Sequence, residues 1–219
     1  MIAYGRGWGS GSDKSGDINT RLLLHFDGSY DDSSNAKVPV EGSPVSDKFV
    51  EGMFGQGLDL ANNLPIYPIY LNSKDFTIEF FAKEAVQRGG DWAGIFGSYN
   101  YASNTDSGIA LRYHSGTSYG LLAYLKNNGT EYSSGWLGRL PNTWVHVAMV
   151  LIGGQFAMYL AGVKIFNATG WSYGGMSGLH LGRWTLSNID ANGIHIDELR
   201  ISNIARYTAN FTPPTSPFR

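Results

Sequence analysis

WVHVAMVLIGGQFAMYLAGVKI, residues 144–165, decides the fold. Its first half, Trp144 to Ile152, is apolar at both parities, with Val145, Val147 and Met149 against Ala148 and Val150. Successive side chains of a strand point to opposite faces, so a run that is apolar at both parities reads as a central strand covered on both sides. Gly153-Gly154 then supplies the two left-handed residues of a tight hairpin turn. Gln155 to Ala161 is the returning strand, and Ala161-Gly162 begins another reversal into Val163-Lys164-Ile165.

The same grammar extends outward. Leu22, Leu24 and Phe26 alternate with Leu23, His25 and Asp27, and the run ends in the turn signal Asp27-Gly28-Ser29. Alternation recurs at Phe76-Ile78-Phe80, at Ile109-Leu111-Tyr113 and at Leu121-Ala123-Leu125. No segment carries a helical period, and Gly or Pro interrupts most candidate windows. The expectation is all-β: roughly a dozen antiparallel strands in two packed sheets. In Gly193 to Ser202 the parity slips. Ile194 and Ile196 share one face, Leu199 and Ile201 the opposite one, so a β-bulge at Asp197-Glu198 is needed to bring all four to the core. Asn203 to Tyr207 reads as one helical turn. Phe211 to Pro217 reads as an extended Pro-rich tail.

Composition agrees with a turn-rich sandwich. Glycine numbers 29 of 219 residues, about twice the usual share. Tyr, Phe and Trp number 13, 11 and 6, while charged residues make up only 16%. With no cysteine, nothing is stapled by disulfides. A net charge of −2 without a basic stripe argues against nucleic acid. No apolar run reaches the length of a membrane span, and Met1 to Gly7 lacks the apolar core of a secretion signal. Three regions are expected: a Gly/Ser-rich arm at 1–20, the sandwich at 21–207, and the Pro-rich tail at 208–219. The arm carries two large anchors, Tyr4 and Trp8.

Several blocks resemble the laminin G-like domains of the concanavalin A-like lectin/glucanase superfamily. They are Leu22 to Gly28, Phe54 to Leu60, Asp75 to Phe81, Trp144 to Ala148 with Phe156 to Gly162, and Ile196 to Ser202 with Ala205 to Tyr207, in family order. The resemblance implies a two-sheet antiparallel jelly-roll sandwich. Its members include β-glucan hydrolases, binders of glycans or proteins, and domains with a structural calcium. Ala205 to Pro214 is most similar to versions carried by bacteriophage structural proteins. That implies a virion surface protein, decorating a capsid or sitting on a tail, with other virion proteins or host cell-surface glycans as partners and self-association as a further option.

Catalysis is not expected. Glucanases of the superfamily carry Glu-x-Asp-x-Glu on one strand so that the carboxylates share a cleft. Here Asp197-Glu198 are adjacent and Glu79 stands alone between Ile78 and Phe80. The five histidines (His25, His114, His146, His180 and His195) have no zinc spacing. No cofactor is required, but a structural Ca²⁺ is a candidate. Hard oxygen ligands in turns suit it, and Asp27, Asp32 and Asp197 are brought near one another if the first and last strands pair. Asp also favours turns simply by accepting local backbone N–H groups. Trp92, Tyr99, Tyr101, Tyr119, Tyr132, Trp136, Trp171 and Tyr173 are the candidate glycan or partner contacts, with Trp184 among the same loop aromatics; Trp144 reads as core. The alternatives to the virion protein are a stand-alone receptor-recognition lectin and a divergent glycoside hydrolase.

Overall fold

A computed structural model describes residues 17–42, 48–60, 64–86, 92–98, 105–115, 120–184 and 193–219. Residues 1–16 of the expected arm therefore lie outside the described residues, as do Tyr99, Tyr101 and Tyr119. The described chain forms β1 (Thr20–Leu24), β2 (Phe49–Glu51), β3 (Gln56–Asp59), β4 (Ile66–Tyr67), β5 (Phe76–Glu84), β6 (Trp92–Gly97) and β7 (Gly108–His114). It continues with β8 (Leu121–Asn127), β9 (Thr130–Ser133), β10 (Val145–Ile152), β11 (Gln155–Leu160), β12 (Val163–Thr169), β13 (Leu179–Leu181) and β14 (Ile194–Ser202). One sheet runs β12-β11-β10-β5-β14-β3-β2, with β1 also paired to β14; the other runs β4-β13-β6-β7-β8-β9. Every pairing is antiparallel. Among the described residues no helix is long and apolar enough to cross a membrane.

The hairpins follow from their turn residues. Gly153 and Gly154 have φ 54° and 79°, and Ala161 and Gly162 have 52° and 77°. Two consecutive left-handed residues match the strands' own twist and close β10-β11 and β11-β12 tightly. β10 is central, between β5 and β11, as its double apolar parity requires.

The inward parity of each strand builds a single interior. Leu22, Leu24 and Phe26 meet Ile78 and Phe80, Val147 and Met149, and from the opposite sheet Ile109, Leu111, Leu121 and Leu125. Each fully buried side chain of this kind contributes roughly 1.5–3 kcal/mol. The bulge stands at the expected place: the β14–β5 register shifts between Asp197 and Arg200, and Glu198 takes φ 54°. Ile194, Ile196, Leu199 and Ile201 all reach the interior.

The C-terminal segment differs from expectation at its start. Residues 203–207 make bends and extended chain, not a helical turn, because their polar groups are captured by Asn19, just before β1, and by Thr77 on β5. Asn203 N donates to Asn19 O at 3.0 Å, Thr77 Oγ1 donates to Ile204 O at 2.9 Å, and Arg206 N donates to Thr77 Oγ1 at 2.8 Å. Arg206 also pairs with Asp17, which ties the start of the described chain to its end. The tail then crosses the outer face of the eight-stranded sheet. Tyr207 stacks on Phe211 at 3.6 Å, and the two cover Ala148, Val150, Ala157 and Tyr159. Phe218 packs with Leu23 and Phe81. Trp144 belongs to this outer cluster and is only partly buried; the expectation that it lies in the interior is corrected. Its strand position faces outward, under Lys83 Nζ at 4.6 Å.

Candidate ligand-binding face

The outer face of the six-stranded sheet carries the second parity of β6 and β7. The register sets Trp92 against His114 and Gly94 against Arg112. His114 meets the Trp92 ring edge-on at 4.6 Å, and Trp136 lies 5.2 Å from Trp92 and 5.7 Å from His114. The Arg112 guanidinium lies 3.9 Å from the Trp92 ring centre and 3.8 Å from that of Trp184. Tyr124, two strands over from Trp92, stands 6.2 Å from Trp184.

A small residue makes this layer possible. A Cβ on Gly94 would come within 2.4 Å of the Arg183 carbonyl carbon and 2.5 Å of the Trp184 nitrogen. The absence of a side chain lets the 183–184 backbone lie on β6 and bring the Trp184 indole over Arg112. A cation between two ring faces is attracted by both quadrupoles, roughly 0.5–1 kcal/mol per contact at exposed sites and more when desolvated. Arg112 thus sets the orientation of both indoles. Trp184 is 8% exposed, but Trp92 remains 41% exposed; among the described aromatics only Tyr70, at 71%, is also an exposed large hydrophobic residue. A held, exposed indole beside a second one is a stacking platform for a ligand with weakly positive C–H groups on one face.

The candidate aromatics divide. Trp92 and Trp136 come together on this face. Tyr132, Trp171 and Tyr173 do not join them: Trp171 stacks on Phe156 at 4.6 Å and 3°, Tyr132 stacks on Trp171 at 5.6 Å, and Tyr173 packs edge-on to Phe76 at 5.1 Å. Trp171 is 8% exposed and part of the interior. Burial pushes the Tyr173 hydroxyl well above the ordinary phenol range. Trp171 lies in the interior and Tyr132 and Tyr173 pack, partly buried, against the core, so all three are engaged in packing. Arg112 and His114 were missed, although the outward parity of β7 displays them.

Asp32 acts apart from Asp27 and Asp197. Asp32 Oδ1 accepts from Leu23 N and Ser34 N, and its Oδ2 from Ser34 Oγ and Val38 N, all within 2.9 Å. Asp27 Oδ1 accepts from Gln56 N at 2.8 Å. Asp197 Oδ2 accepts from Met53 N at 2.8 Å and Phe54 N at 2.9 Å. Burial pushes Asp197 up to about 7, against the N–H bonds from Phe54 and Met53 that lower it. Among the described residues no group of three or more Asp, Glu, His or Cys could hold a metal ion. The donor set proposed for Ca²⁺ does not fit one: Asp32 is the hub of its own turn, while Asp27 and Asp197 hold the turn at 52–56.

Two further buried carboxylates, Glu79 and Glu198, are engaged in internal bonds. Glu79 accepts from Arg200 Nε at 2.9 Å and Tyr207 Oη at 2.6 Å, and contacts His146 Nε2 at 3.1 Å. Glu198 Oε1 contacts His25 Nδ1 at 2.7 Å, while its Oε2 accepts from Phe218 N at 2.7 Å.

Comparison with known proteins fits this architecture. Domain 4 of an extracellular arabinanase from Geobacillus stearothermophilus, solved in complex with arabinotriose, is 19% identical with TM-score 0.58, over 85% of this chain and 93% of that one. The binding domain of Paraclostridial Mosquitocidal Protein 1 is 16% identical with TM-score 0.61, over 86% of this chain and half of that one. A structure of botulinum neurotoxin type C, described as dependent on two ganglioside molecules for cell entry, is 14% identical with TM-score 0.60, over 86% of this chain and 49% of that one. No curated protein sequence matches significantly. The Laminin_G_3 model matches residues 55–210, most of the chain, and the protein therefore belongs to the Laminin_G_3 family of the concanavalin A-like lectin/glucanases superfamily.

Proposed function

We propose that the protein is a non-catalytic carbohydrate-binding module whose platform is Trp92 and Trp136, ordered by Arg112 and Trp184. The observation that carries this reading is the exposed Trp92 indole held in place by a cation that a second indole clamps. Sugar rings present an axial C–H face to such a platform, and polar neighbours fix their orientation. Two of the similar structures are described with an oligosaccharide or a ganglioside, which supports the same class of ligand. The non-catalytic part is supported by the engagement of Glu79 and Glu198 in internal bonds.

The test is a saccharide array followed by calorimetry on the hits. Binding that falls by about thirtyfold in Trp92→Ala, as for an interface residue worth about 2 kcal/mol, is the expected result. Undiminished affinity in both Trp92→Ala and Trp136→Ala removes the platform. Release of reducing ends from any bound polysaccharide removes the non-catalytic reading.

A second proposal concerns where the module works. The similarity of Ala205 to Pro214 to bacteriophage structural proteins favours a virion surface, on capsid or tail. Saturable binding of labelled protein to particles lacking it is the expected result; binding to host cells alone makes the protein a free-standing lectin.

A further inference from the structure

Two segments present their outward residues to one notch beside the exit of β14. In β1, Thr20 and Leu22 are buried and Arg21 between them is exposed. After β4, Ile69 and Leu71 are buried, and Tyr70 between them is 71% exposed. Arg21 and Tyr70, with Leu71, Asn72, Ser73 and Asn203, line a cavity of ≈ 430 Å³. That volume lies in the range of small-ligand sites.

The walls of the notch are held. The Asn203 amide is satisfied when its nitrogen donates to Asn19 O at 2.9 Å; its oxygen then accepts from Arg21 Nη2 at 2.8 Å and Nε at 3.3 Å. Ser73 Oγ donates to Asn203 O at 3.0 Å, which joins the segment after β4 to the end of β14. Leu71 N donates to Met176 O at 3.1 Å, and Met176 N to Leu71 O at 3.2 Å. A Cβ on Gly175 would come within 2.7 Å of Asn72 Oδ1, so the missing side chain there leaves the Asn72 amide its place.

Asn203 takes the Nε–Nη2 edge of the guanidinium. The Nη1–Nη2 edge carries no bond, and Arg21 no ion pair, among the described residues. The carboxylates closest in sequence to the two segments are committed elsewhere. Asp17 pairs with Arg206, and Asp75 Oδ1 accepts from Gly153 N at 2.9 Å. The notch therefore offers an oriented cation whose charge is unmatched, beside an exposed aromatic ring. An end-on guanidinium fork matches a planar carboxylate, and the ring takes an apolar face next to it.

We propose that this notch is a separate site for an acidic sugar residue, a uronic or sialic acid. Arg21 holds the carboxylate, Tyr70 stacks on the C–H face of the ring, and the Asn72 amide bonds a hydroxyl. The sugar half of the assignment rests on the carbohydrate reading above; the anionic half rests on Arg21. β1 belongs to the eight-stranded sheet, so the site does not depend on the indoles of the six-stranded one.

The experiment measures binding of oligogalacturonate beside its methyl ester, and of sialyllactose beside lactose. Wild-type protein is compared with Arg21→Gln, Arg21→Lys, Tyr70→Ala and Trp92→Ala, with circular dichroism and melting temperature as checks on folding. Arg21 and Tyr70 are exposed, so these variants put folding at little risk. The expected result is an acidic ligand held at least tenfold tighter than its neutral counterpart and weakened about tenfold in Arg21→Gln, the loss of a charge-assisted bond. Arg21→Lys, which keeps the charge without the fork, restores that ligand only in part. Tyr70→Ala weakens it severalfold, and Trp92→Ala leaves it unchanged. Equal affinity for the acidic and neutral forms overturns the proposal. So does an acidic ligand that folded Arg21→Gln and Tyr70→Ala bind as wild type does; neither result touches the platform. A short oligoglutamate peptide that displaces the saccharide at equal concentration overturns the sugar half, since the notch then reads charge alone. An Arg21-dependent acidic ligand supports the notch even where no neutral saccharide binds, an outcome that removes only the platform.

Discussion

Over the eight-stranded sheet Phe218 is 5% exposed, pressed onto Phe81 and Leu23, whereas over the six-stranded sheet Trp92 is left 41% exposed. Both faces are outward parities of central strands, and both carry aromatics and charge. On the first, the chain supplies its own cover: Tyr207, Phe211 and Phe218 lie across it, and Glu79 beneath them takes bonds from Arg200 and Tyr207 and contacts His146. On the second, the aromatics are ordered by one another and by Arg112. A sandwich needs only one shared interior, so each outer face is free to be sealed for stability or kept for a ligand. Here the first face is sealed by the chain, and the proposed function assigns the second to a ligand.

The largest effect is expected on the sealed face. Deleting residues 208–219 uncovers Leu23, Phe81, Ala148, Val150 and Tyr159 at once, a loss on the order of 5 kcal/mol. That is comparable to the whole stability of many domains. Phe218→Ala alone costs about 3 kcal/mol. Urea denaturation followed by tryptophan fluorescence measures both. An unchanged midpoint after deletion breaks the comparison, since the tail is then no part of the folded unit.

Next comes the charge under the tail. Burial opposes ionisation of Glu79, but the bond to His146, the Arg200 charge and the Tyr207 hydroxyl outweigh it and hold the group below the ordinary carboxylate range. A depressed carboxylate contributes stability that is present above its unfolded pKa and lost as pH falls through the folded one. Glu79→Gln keeps the shape and removes the charge, at a cost of about 3 kcal/mol near pH 7. The gap between wild type and variant is expected to close on acidification below about pH 4. A gap that stays constant from pH 7 to pH 3 means that the charge of Glu79 is not what these partners stabilise.

Much of this architecture is legible in the residues, and what is not has a common cause. The parity slip at Asp197-Glu198 predicts a bulge because four aliphatic residues have to share one core, a constraint local to one strand. The glycine pairs predict the hairpins for the same reason. Tyr132, Trp171 and Tyr173 misled because residue composition says nothing of direction: Trp171 stacks on Phe156, Tyr132 stacks on Trp171, and Tyr173 packs edge-on to Phe76. The aspartates misled in the opposite sense, since a turn carboxylate that satisfies backbone N–H groups looks like a ligand until its donors are seen. Arg112 and His114 could have been found by reading the second parity of β7, not only Ile109, Leu111 and Tyr113. Arg21 and Tyr70 could not, because only the closing of the two sheets brings them to one notch.

Gly94→Ala probes the open face from beneath. The new methyl group meets backbone atoms of Arg183 and Trp184, not a flexible tip, so the 183–184 segment has to move. Overpacking of this kind costs about 1–3 kcal/mol. Trp184 is expected to leave Arg112, which loosens Trp92 in turn. The readouts are a changed tryptophan emission and a weaker saccharide complex, with Trp92 itself untouched. Unchanged emission and full affinity show that Trp184 is not needed to order the platform.

The smallest expected change in stability is the most informative about function. Trp92→Ala removes an indole whose contacts include one cation at 3.9 Å, the His114 ring edge-on at 4.6 Å and the tilted Trp136 ring at 5.2 Å. The cation contact at an exposed site is worth roughly 0.5–1 kcal/mol. Much of the ring area is already in water, so little hydrophobic burial is lost. The melting temperature is therefore expected to fall by only a few degrees, against the much larger shift for Phe218→Ala, although both variants delete one large aromatic from the outer face of a sheet. If Trp92→Ala destabilises the protein as much as Phe218→Ala does, the open face is a second sealed face and its indole is there for packing. If stability holds while saccharide binding is lost, the residue is kept at the surface for the ligand.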